Sequence, residues 1–162
     1  FLKVYKFKNS LEKYSYNKPS IVLFARKKGS NSFVRGDDWD YNELISKIKD
    51  HCYKITILGH PAFSHTFNET KKVKVLISSD NEIILNECRK ANFIINQFSG
   101  THYLGVYLET KTLLLMKGKY NNFTLKKDLK YRKKLNSKYK LDIVNNHNQI
   151  IKKLKLYEKR GD

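Results

Sequence analysis

The stretch of sequence that decides the fold is NFIINQFSGTHYLGVYLETKTLLLM, residues 92–116. Residues 92–96 form an apolar run short enough for a buried strand, residues 99–109 have helical composition, and residues 112–116 form a second apolar run. Ser99 and Gly100 lie in the polar turn that follows the first strand. A strand, a tight turn and a helix in this order are typical of an α/β unit that binds phosphate or a nucleotide.

The turn at Ser99, Gly100 and Thr101 has the properties of an anion site. A helix that begins there leaves backbone N–H groups free and directs the positive end of its dipole toward the C-terminal edge of the strand. Gly100 has no Cβ, so an anion can approach the backbone closely. A structural interpretation, with Ser99 as a helix N-cap and Gly100 as a turn residue, explains the same residues. Both interpretations stay open at this point.

The same alternation of strand and helix repeats along the chain. Strands are predicted at residues 20–25, 53–58 and 73–77, with a helix after Gly36 capped by Asp37 or Asp38 and a helix at residues 81–90 capped by Ser79 or Asp80. Helical connections of this length favour right-handed crossovers between parallel strands. The sequence therefore predicts an α/β fold with a doubly wound, mainly parallel, five-stranded Rossmann-like sheet.

Three segments are expected. Residues 1–18 form a basic, aromatic leading segment, residues 19–116 form the Rossmann-like domain, and residues 117–162 form a basic helical C-terminal extension. The apolar positions of the extension, including Leu141 and Ile143, predict one or two lysine-rich helices broken near Asn145 and Asn146. Two interpretations of the extension remain, an amphipathic helix docked on the domain and a helix on a membrane surface.

A common rim is predicted at the C-terminal ends of the strands, because ligands of parallel α/β sheets bind there. Arg26 follows the first strand, and its guanidinium can donate charge-assisted hydrogen bonds to phosphate. The other candidates for this rim are Lys27, Gly59, His60, Asp80, Gln97 and His102. His60, His65 and His102 are candidate acids or bases, and each has an equally simple structural interpretation. No P-loop or Gly-x-Gly-x-x-Gly motif is present.

The net charge of +18 indicates either an anionic partner or a biased composition. Residues 117–162 contain 15 basic and 4 acidic side chains, so most of the excess lies outside the predicted α/β domain. A lysine- and asparagine-rich surface explains this charge without a partner, and an anionic membrane face is the alternative. Nucleic acid is not expected, because the chain lacks the interleaved aromatic and basic residues of an RNA-binding fold.

The remaining composition limits location and cofactors. Cys52 and Cys88 have no Cys-x-x-Cys spacing and are predicted to be buried free thiols. No apolar run approaches about 18 residues and no secretory signal is recognisable, which predicts a cytoplasmic protein, with peripheral attachment to the inner face of the membrane as an alternative. No metal site and no cofactor are expected, because a capped helix start explains Asp37, Asp38 and Asp40. The first residue is Phe1, which is consistent with a fragment of a longer protein.

Residues 19–116 resemble the C-terminal, donor-binding half of a GT-B glycosyltransferase, especially the heptosyltransferase-like enzymes of bacterial surface polysaccharide. The resemblance rests on the order of elements and on the pattern Ala-x-Phe-Ile-Ile-x-x-x-Ser-Gly at residues 91–100. In that group an Asp-Ser-Gly-x-x-His turn faces the donor diphosphate, and Ser99, Gly100 and Thr101 match it. Phe98 replaces the Asp, and His102 comes one residue early.

The resemblance implies a metal-independent transferase that moves a sugar from a nucleotide-sugar donor in surface glycan synthesis. The implied diphosphate ligands are Arg26, Ser99, Gly100 and Thr101, and no catalytic base is identified. The implied partners are the nucleotide sugar, a glycan or lipid-linked acceptor, and an N-terminal acceptor domain outside these residues. Two other classes remain: a basic α/β binding module for an anionic polymer or membrane surface, and a non-glycosyl α/β transferase of pyruvyl-transferase or kinase type.

Overall fold

The structure is a computed structural model that describes residues 17–26, 39–62, 64–97, 101–116, 130 and 141–160. Only the backbone is described at residues 102, 103, 106, 159 and 160. The strands in these residues are β1 (Ser20–Phe24), β2 (Lys54–Gly59), β3 (Val73–Ile77), β4 (Phe93–Gln97), β5 (Lys111–Leu115) and β6 (Leu141–Val144). The α-helices are α1 (Tyr41–Ile48), α2 (Asn81–Lys90), α3 (His102–Tyr107) and α4 (His147–Arg160), and a 3-10 turn follows α1 at Lys49–His51.

The strands form one sheet in the order β3-β2-β1-β4-β5-β6, and all five neighbouring pairs are parallel. Chain order therefore reverses at β1, which pairs with β2 on one side and with β4 on the other. The predicted α/β class and its parallel, doubly wound sheet are confirmed. The reversal leaves a crevice between β1 and β4 at their C-terminal ends, where the chain departs in opposite directions.

Apolar side chains cover both faces of the sheet because parallel strands are buried on both sides. On one face, Ile21 and Leu23 of β1 pack with α1 and α4 in a cluster that includes Leu44 and Leu154. On the other face, Val22 packs in a second cluster that includes Cys88 of α2. Among the described residues, α1 and α4 therefore cover one face, and α2 and α3 cover the other.

The sheet has six strands, one more than the sequence predicts. Leu141–Val144, expected to be helical, is strand β6 and pairs in parallel with β5. Val144 is buried in the core, and its carbonyl accepts a hydrogen bond from Met116 N at 2.8 Å. Four residues are too short to distinguish a strand from a helix by periodicity, and the lysine-rich flanks favoured the helix.

The predicted helix break at Asn145 and Asn146 is instead the junction between strand β6 and helix α4. Asn146 Oδ1 accepts from Gln149 N at 3.0 Å, while Gln149 Oε1 accepts from Asn145 N at 2.9 Å. These reciprocal bonds satisfy amides at the helix start. Helix α4 then buries Ile150 and Leu154 against the sheet. Residues 141–160 thus complete the domain core, so this part of the expected extension is integral to the sheet domain.

Helix boundaries follow the capping side chains. Asp40, rather than Asp37 or Asp38, is the N-cap of α1, because its Oδ1 accepts from Glu43 N at 3.0 Å. Asp80 caps α2 as predicted, accepting from Glu82 N at 2.8 Å. Asp37, Asp38 and most of residues 117–140 lie outside the described residues.

Helix α3 is shorter than the predicted residues 99–109. Glu109 adopts a φ of 53°, and Thr110 N donates to the Gly105 carbonyl at 2.9 Å, which closes the helix end. Gly105 itself packs against β5, where a Cβ at this position would overlap Thr112 Oγ1. The missing side chain therefore allows α3 to lie directly on the strand that follows it.

Both cysteines are buried free thiols, as predicted. Burial raises the pKa of the Cys88 thiol to about 12 and also raises the pKa of Cys52, whose Sγ donates to the Ile48 carbonyl at 3.0 Å. Among the described residues, no helix has both the length and the hydropathy that crossing a bilayer requires.

Candidate ligand site at the carboxyl edge

Arg26 and Gln97 lie on the two sides of the β1–β4 crevice. Leu23 is registered with Ile95, and continuing this register by two residues places Ala25 opposite Gln97 and Arg26 one step beyond it. Neighbouring strands are about 4.8 Å apart, so these two predicted rim positions share one local site. Arg26 is held there by an antiparallel bridge to Ser64 in the loop that follows β2.

Gly59 and His60 build the loop that holds Arg26. Ser64 is 8% exposed and its hydroxyl donates to the His60 carbonyl at 2.9 Å, directly beside Gly59. His60 is exposed, and its ring Nδ1 accepts a hydrogen bond from Ala62 N at 3.2 Å. These contacts give both residues a structural role beside the crevice.

Asp80 is separated from the crevice. It follows β3, an edge strand that lies three places from β4 in the sheet, or about 14 Å at the usual strand spacing. Its side chain caps α2, and its backbone N–H is bonded to Ser78 Oγ at 3.0 Å. The structure therefore does not bring Asp80 together with Arg26 and Gln97.

The turn after β4 is described only from Thr101 onward. The Thr101 carbonyl accepts from Leu104 N at 3.0 Å at the start of α3. Ser99, Gly100 and Lys27 lie outside the described residues, and only the backbone of His102 is described. The anion-binding roles of these residues stay predictions.

Two fully buried amide side chains end β4. Asn96 is 0% and Gln97 is 2% exposed, and none of their side-chain nitrogen and oxygen atoms has a hydrogen-bond partner among the described residues. A buried polar group without a partner costs about 1–3 kcal/mol. The sequence pattern does not single out Asn96, because this residue lies at the end of an apolar run. The signal that could have found it is a polar pair at the C-terminal end of a central strand.

An aromatic cavity of about 370 Å³ opens between the start of α1 and the loop after β2. His65, a candidate acid or base, lies in its wall, with its ring centroid 5.8 Å from that of Tyr41 and 6.0 Å from that of Phe67. These ring contacts give His65 a packing role. The cavity lining is Trp39, Asp40, Tyr41, Asn42, His65, Thr66 and Phe67.

A larger cavity, of about 780 Å³, lies at the opposite, N-terminal edge of the sheet. Lys18 donates to the Asp50 carbonyl at 2.6 Å, and Lys72 lies 3.5 Å from the Asp50 carboxylate. We call it the lysine cavity, and its lining is Asn17, Lys18, Cys52, Tyr53, Lys54, Lys71 and Lys72. Positive charge is therefore concentrated on the domain itself as well as in residues 117–162.

Metal ligands do not cluster in the part of the chain that the structure describes. No group of three or more His, Cys, Asp or Glu side chains is placed there to hold an ion. Asp40, the described member of the Asp-Asp-Trp-Asp sequence at residues 37–40, is the helix cap already identified. The described acidic residue of this motif, Asp40, therefore has a structural function.

Comparison with known proteins gives a fold relationship. No sequence family and no curated protein matches the chain by sequence. The E. coli ADP-heptose lipopolysaccharide heptosyltransferase II superposes with a TM-score of 0.60 at 13% identity, over 93% of this chain and 49% of that enzyme. The chain has a heptosyltransferase-like fold. The resemblance stated from the sequence is confirmed at the level of the fold.

Two further structures give the same fold with weaker superposition. The E. coli heptosyltransferase WaaC with ADP has a TM-score of 0.51 at 12% identity, over 87% of this chain and 45% of that one. The dodecameric iron-containing heptosyltransferase TibC in complex with ADP-D-beta-D-heptose has a TM-score of 0.50 at 15% identity, over 68% and 30%. The heptosyltransferase-like fold of this chain thus spans half or less of each of these enzymes.

Proposed function

We propose that the chain is the donor-binding part of a glycosyltransferase and binds a nucleotide sugar in the β1–β4 crevice. The observation that carries the proposal is the reversal of strand order between β1 and β4, with Arg26 and Gln97 at the two strand ends. Such a crevice is where open parallel sheets bind nucleotides. The heptosyltransferase-like fold supports a sugar nucleotide over other nucleotides, since two of the similar structures hold ADP or ADP-heptose.

The proposed chemistry uses fixed hydrogen-bond donors. Departure of a nucleoside diphosphate adds negative charge to its phosphates, so preorganised donors stabilise the transition state. The Arg26 guanidinium and the backbone N–H groups of Ser99, Gly100 and Thr101 are proposed to supply them, without a metal ion. A glycosyl transfer of this kind needs no covalent nucleophile from this chain.

The acceptor and the catalytic base are proposed to come from another part of the protein. This chain covers 49% of the E. coli heptosyltransferase II, so an acceptor-binding half would account for the remaining length. A glycan or lipid-linked acceptor fits an enzyme of surface glycan synthesis at the cytoplasmic face of the membrane. That the acceptor is a glycan or a lipid-linked molecule is therefore also proposed.

Titration with nucleoside diphosphates tests the proposal directly. Trp39 is the single tryptophan and lines the aromatic cavity at the start of α1, so its fluorescence is one signal, with calorimetry as a second method. We expect saturable binding of ADP and weaker binding in Gly100→Val, whose side chain obstructs approach to the backbone. Equal affinities in the two proteins would exclude the turn, and no binding of any nucleotide would exclude the function.

A second candidate function is attachment to an anionic surface. The observation that favours it is the lysine cavity, in which Lys18, Lys54, Lys71 and Lys72 line one concavity at the edge opposite the crevice. Clustered lysines attract anionic lipid headgroups by about 1 kcal/mol each near a membrane surface. This candidate is compatible with nucleotide binding because the two sites lie at opposite edges of the sheet.

A further inference from the structure

The last two residues of β4 have side-chain amides that form no hydrogen bond with the described residues. Asn96 and Gln97 are adjacent, are 0% and 2% exposed, and have no hydrogen-bond partner for any of their four side-chain polar atoms among the described residues. Native proteins almost always satisfy buried polar groups. Several described residues have one such atom, but Asn96 and Gln97 are adjacent and together leave four of them where strand order reverses, an arrangement expected of a ligand site.

Asn92, at the other end of the same strand, is an asparagine whose side chain forms a structural hydrogen bond. Its Oδ1 accepts a hydrogen bond from Ser20 N at 2.8 Å, which joins the N-terminal ends of β1 and β4. Asn92 is also buried, at 8% exposure. The amide of Asn92 therefore stabilises the fold through a hydrogen bond, whereas the amide of Asn96 has no hydrogen-bond partner among the described residues.

The two amides lie on opposite faces of the sheet. Ile95 belongs to the cluster under α1 and α4 and Ile94 to the cluster under α2 and α3, so alternation along β4 places Gln97 on the first face and Asn96 on the second. Because both side chains are buried, a ligand in the crevice between β1 and β4 must open this strand end to contact both faces. The amides are thus suited to opposite ends of one elongated ligand.

We propose that Asn96 and Gln97 form hydrogen bonds to the two ends of a nucleotide sugar, one amide at the nucleoside and the other at the transferred sugar. The inference rests on the proposed function and adds the residues that select the ligand. A carboxamide offers a donor and an acceptor side by side, which match the edge of a nucleobase or a pair of neighbouring sugar hydroxyls. A site built to form such bonds discriminates against ligands that lack them.

Thermal stability without ligand is the first test. In Asn96→Leu and Gln97→Met, an apolar group of similar size replaces an unsatisfied one, so the melting temperature is expected to stay equal or rise. Asn92→Leu is the matched control and should melt lower, because it leaves Ser20 N without this acceptor. A decrease in Asn96→Leu or Gln97→Met as large as in Asn92→Leu would show that the amide has a partner within the protein, and would overturn the inference.

Binding by calorimetry is the second test, with ADP and an ADP-linked sugar as the probes. One variant is expected to bind both probes roughly tenfold or more weakly than wild type does. The other is expected to lose this much affinity only for the ADP-linked sugar. Asn92→Leu, measured below its melting temperature, should bind as wild type does. If wild type binds both probes and the two variants bind them equally well, the inference is overturned while the proposed function stands. If wild type binds neither probe, both fail.

Discussion

Gly59 lies so close to Ser64 that a Cβ at position 59 would overlap the Ser64 hydroxyl. This contact holds the loop after β2 against the end of its own strand. Since Ser64 also bridges to Arg26, the same contact fixes the residue that follows β1. The absence of a side chain at Gly59 thereby helps to determine the position of the proposed phosphate-binding arginine.

Replacing Gly59 by alanine should loosen this loop. The added methyl group must displace Ser64 and its bond to the His60 carbonyl, so we expect Gly59→Ala to lower the free energy of unfolding by about 1–3 kcal/mol. Chemical denaturation measures the loss. Ser64→Gly in the same protein makes room for the methyl group and should restore part of it. A Gly59→Ala protein as stable as wild type would show that the contact is not tight.

Arg26→Ala should weaken binding of ADP about tenfold to a hundredfold, because loss of a charge-assisted hydrogen bond costs roughly 1.5–3 kcal/mol. Calorimetric titration gives the ratio of dissociation constants. Arg26→Lys keeps the charge without the planar guanidinium and should fall between the two proteins. If Arg26→Ala unfolds at the temperature of the titration, Arg26 has a structural role instead.

Leucines 154 and 156 of α4 provide a matched pair for the role of the C-terminal residues. Leu154 is 0% and Leu156 is 41% exposed. Leu154→Ala should therefore destabilise the protein by about 2–5 kcal/mol, because it leaves a cavity in the core. Leu156→Ala should change stability by less than about 1 kcal/mol. Equal effects on the denaturation midpoint would mean that α4 does not pack on the sheet in solution.

The two thiols should resist alkylation in the folded protein. Burial disfavours the reactive thiolate of Cys52 and Cys88, whose pKa values are both raised. At pH 8 we expect both to react with iodoacetamide only after denaturant is added, as mass spectrometry can show. Rapid labelling of either thiol in the folded protein contradicts its burial.

The raised pKa values of these thiols predict that the protein loses stability at alkaline pH. An unfolded thiol releases its proton near pH 9, whereas folded Cys88 keeps it to about pH 12. Between these values the native state binds more protons, so stability falls as pH rises. Denaturation series from pH 8 to pH 11 should show a shallower decline in a Cys88→Ala protein than in wild type. Parallel declines would show that Cys88 is not responsible.

Charge reversal in the lysine cavity tests attachment to membranes. Lys54→Glu with Lys71→Glu should reduce binding to vesicles that contain phosphatidylserine, and binding of wild type should itself decrease with salt. Lys152→Glu with Lys155→Glu changes the charge equally on exposed positions of α4 and should have a smaller effect. Equal losses in the two proteins would point to net charge rather than to the lysine cavity.

Much of the fold could be predicted from local signals. The strand at residues 73–77 and the helix at residues 81–90 have the predicted bounds, because Asp80 provides a capping side chain between two clear apolar patterns. Strand β6 could not be predicted in the same way. Its four residues become a strand only by pairing with β5, a tertiary contact that local sequence does not encode.

From the sequence, the candidate site could be predicted only for residues whose place follows from the end of a predicted strand. Arg26 and Gln97 follow predicted strands, so a parallel sheet brings them to one edge. The order of the strands decides which rim positions are neighbours, and this order placed Asp80 far from Gln97. Ser64 and Asn96 could not be predicted from the sequence, because their importance depends on a close contact and on an unsatisfied amide, which exist only in the folded structure.

The central position of β1 has a consequence for the order of folding. Its two neighbours come from different distances along the chain, since Ser20 pairs with Lys54 of β2, 34 residues on, while the bond between Ser20 and Asn92 spans 72 residues. During synthesis, β1, β2 and β3 emerge before β4, and one side of β1 has no strand partner until β4 arrives. Such an edge is a template for association with other chains. We therefore expect the newly made protein to be most prone to aggregation before the crevice between β1 and β4 forms.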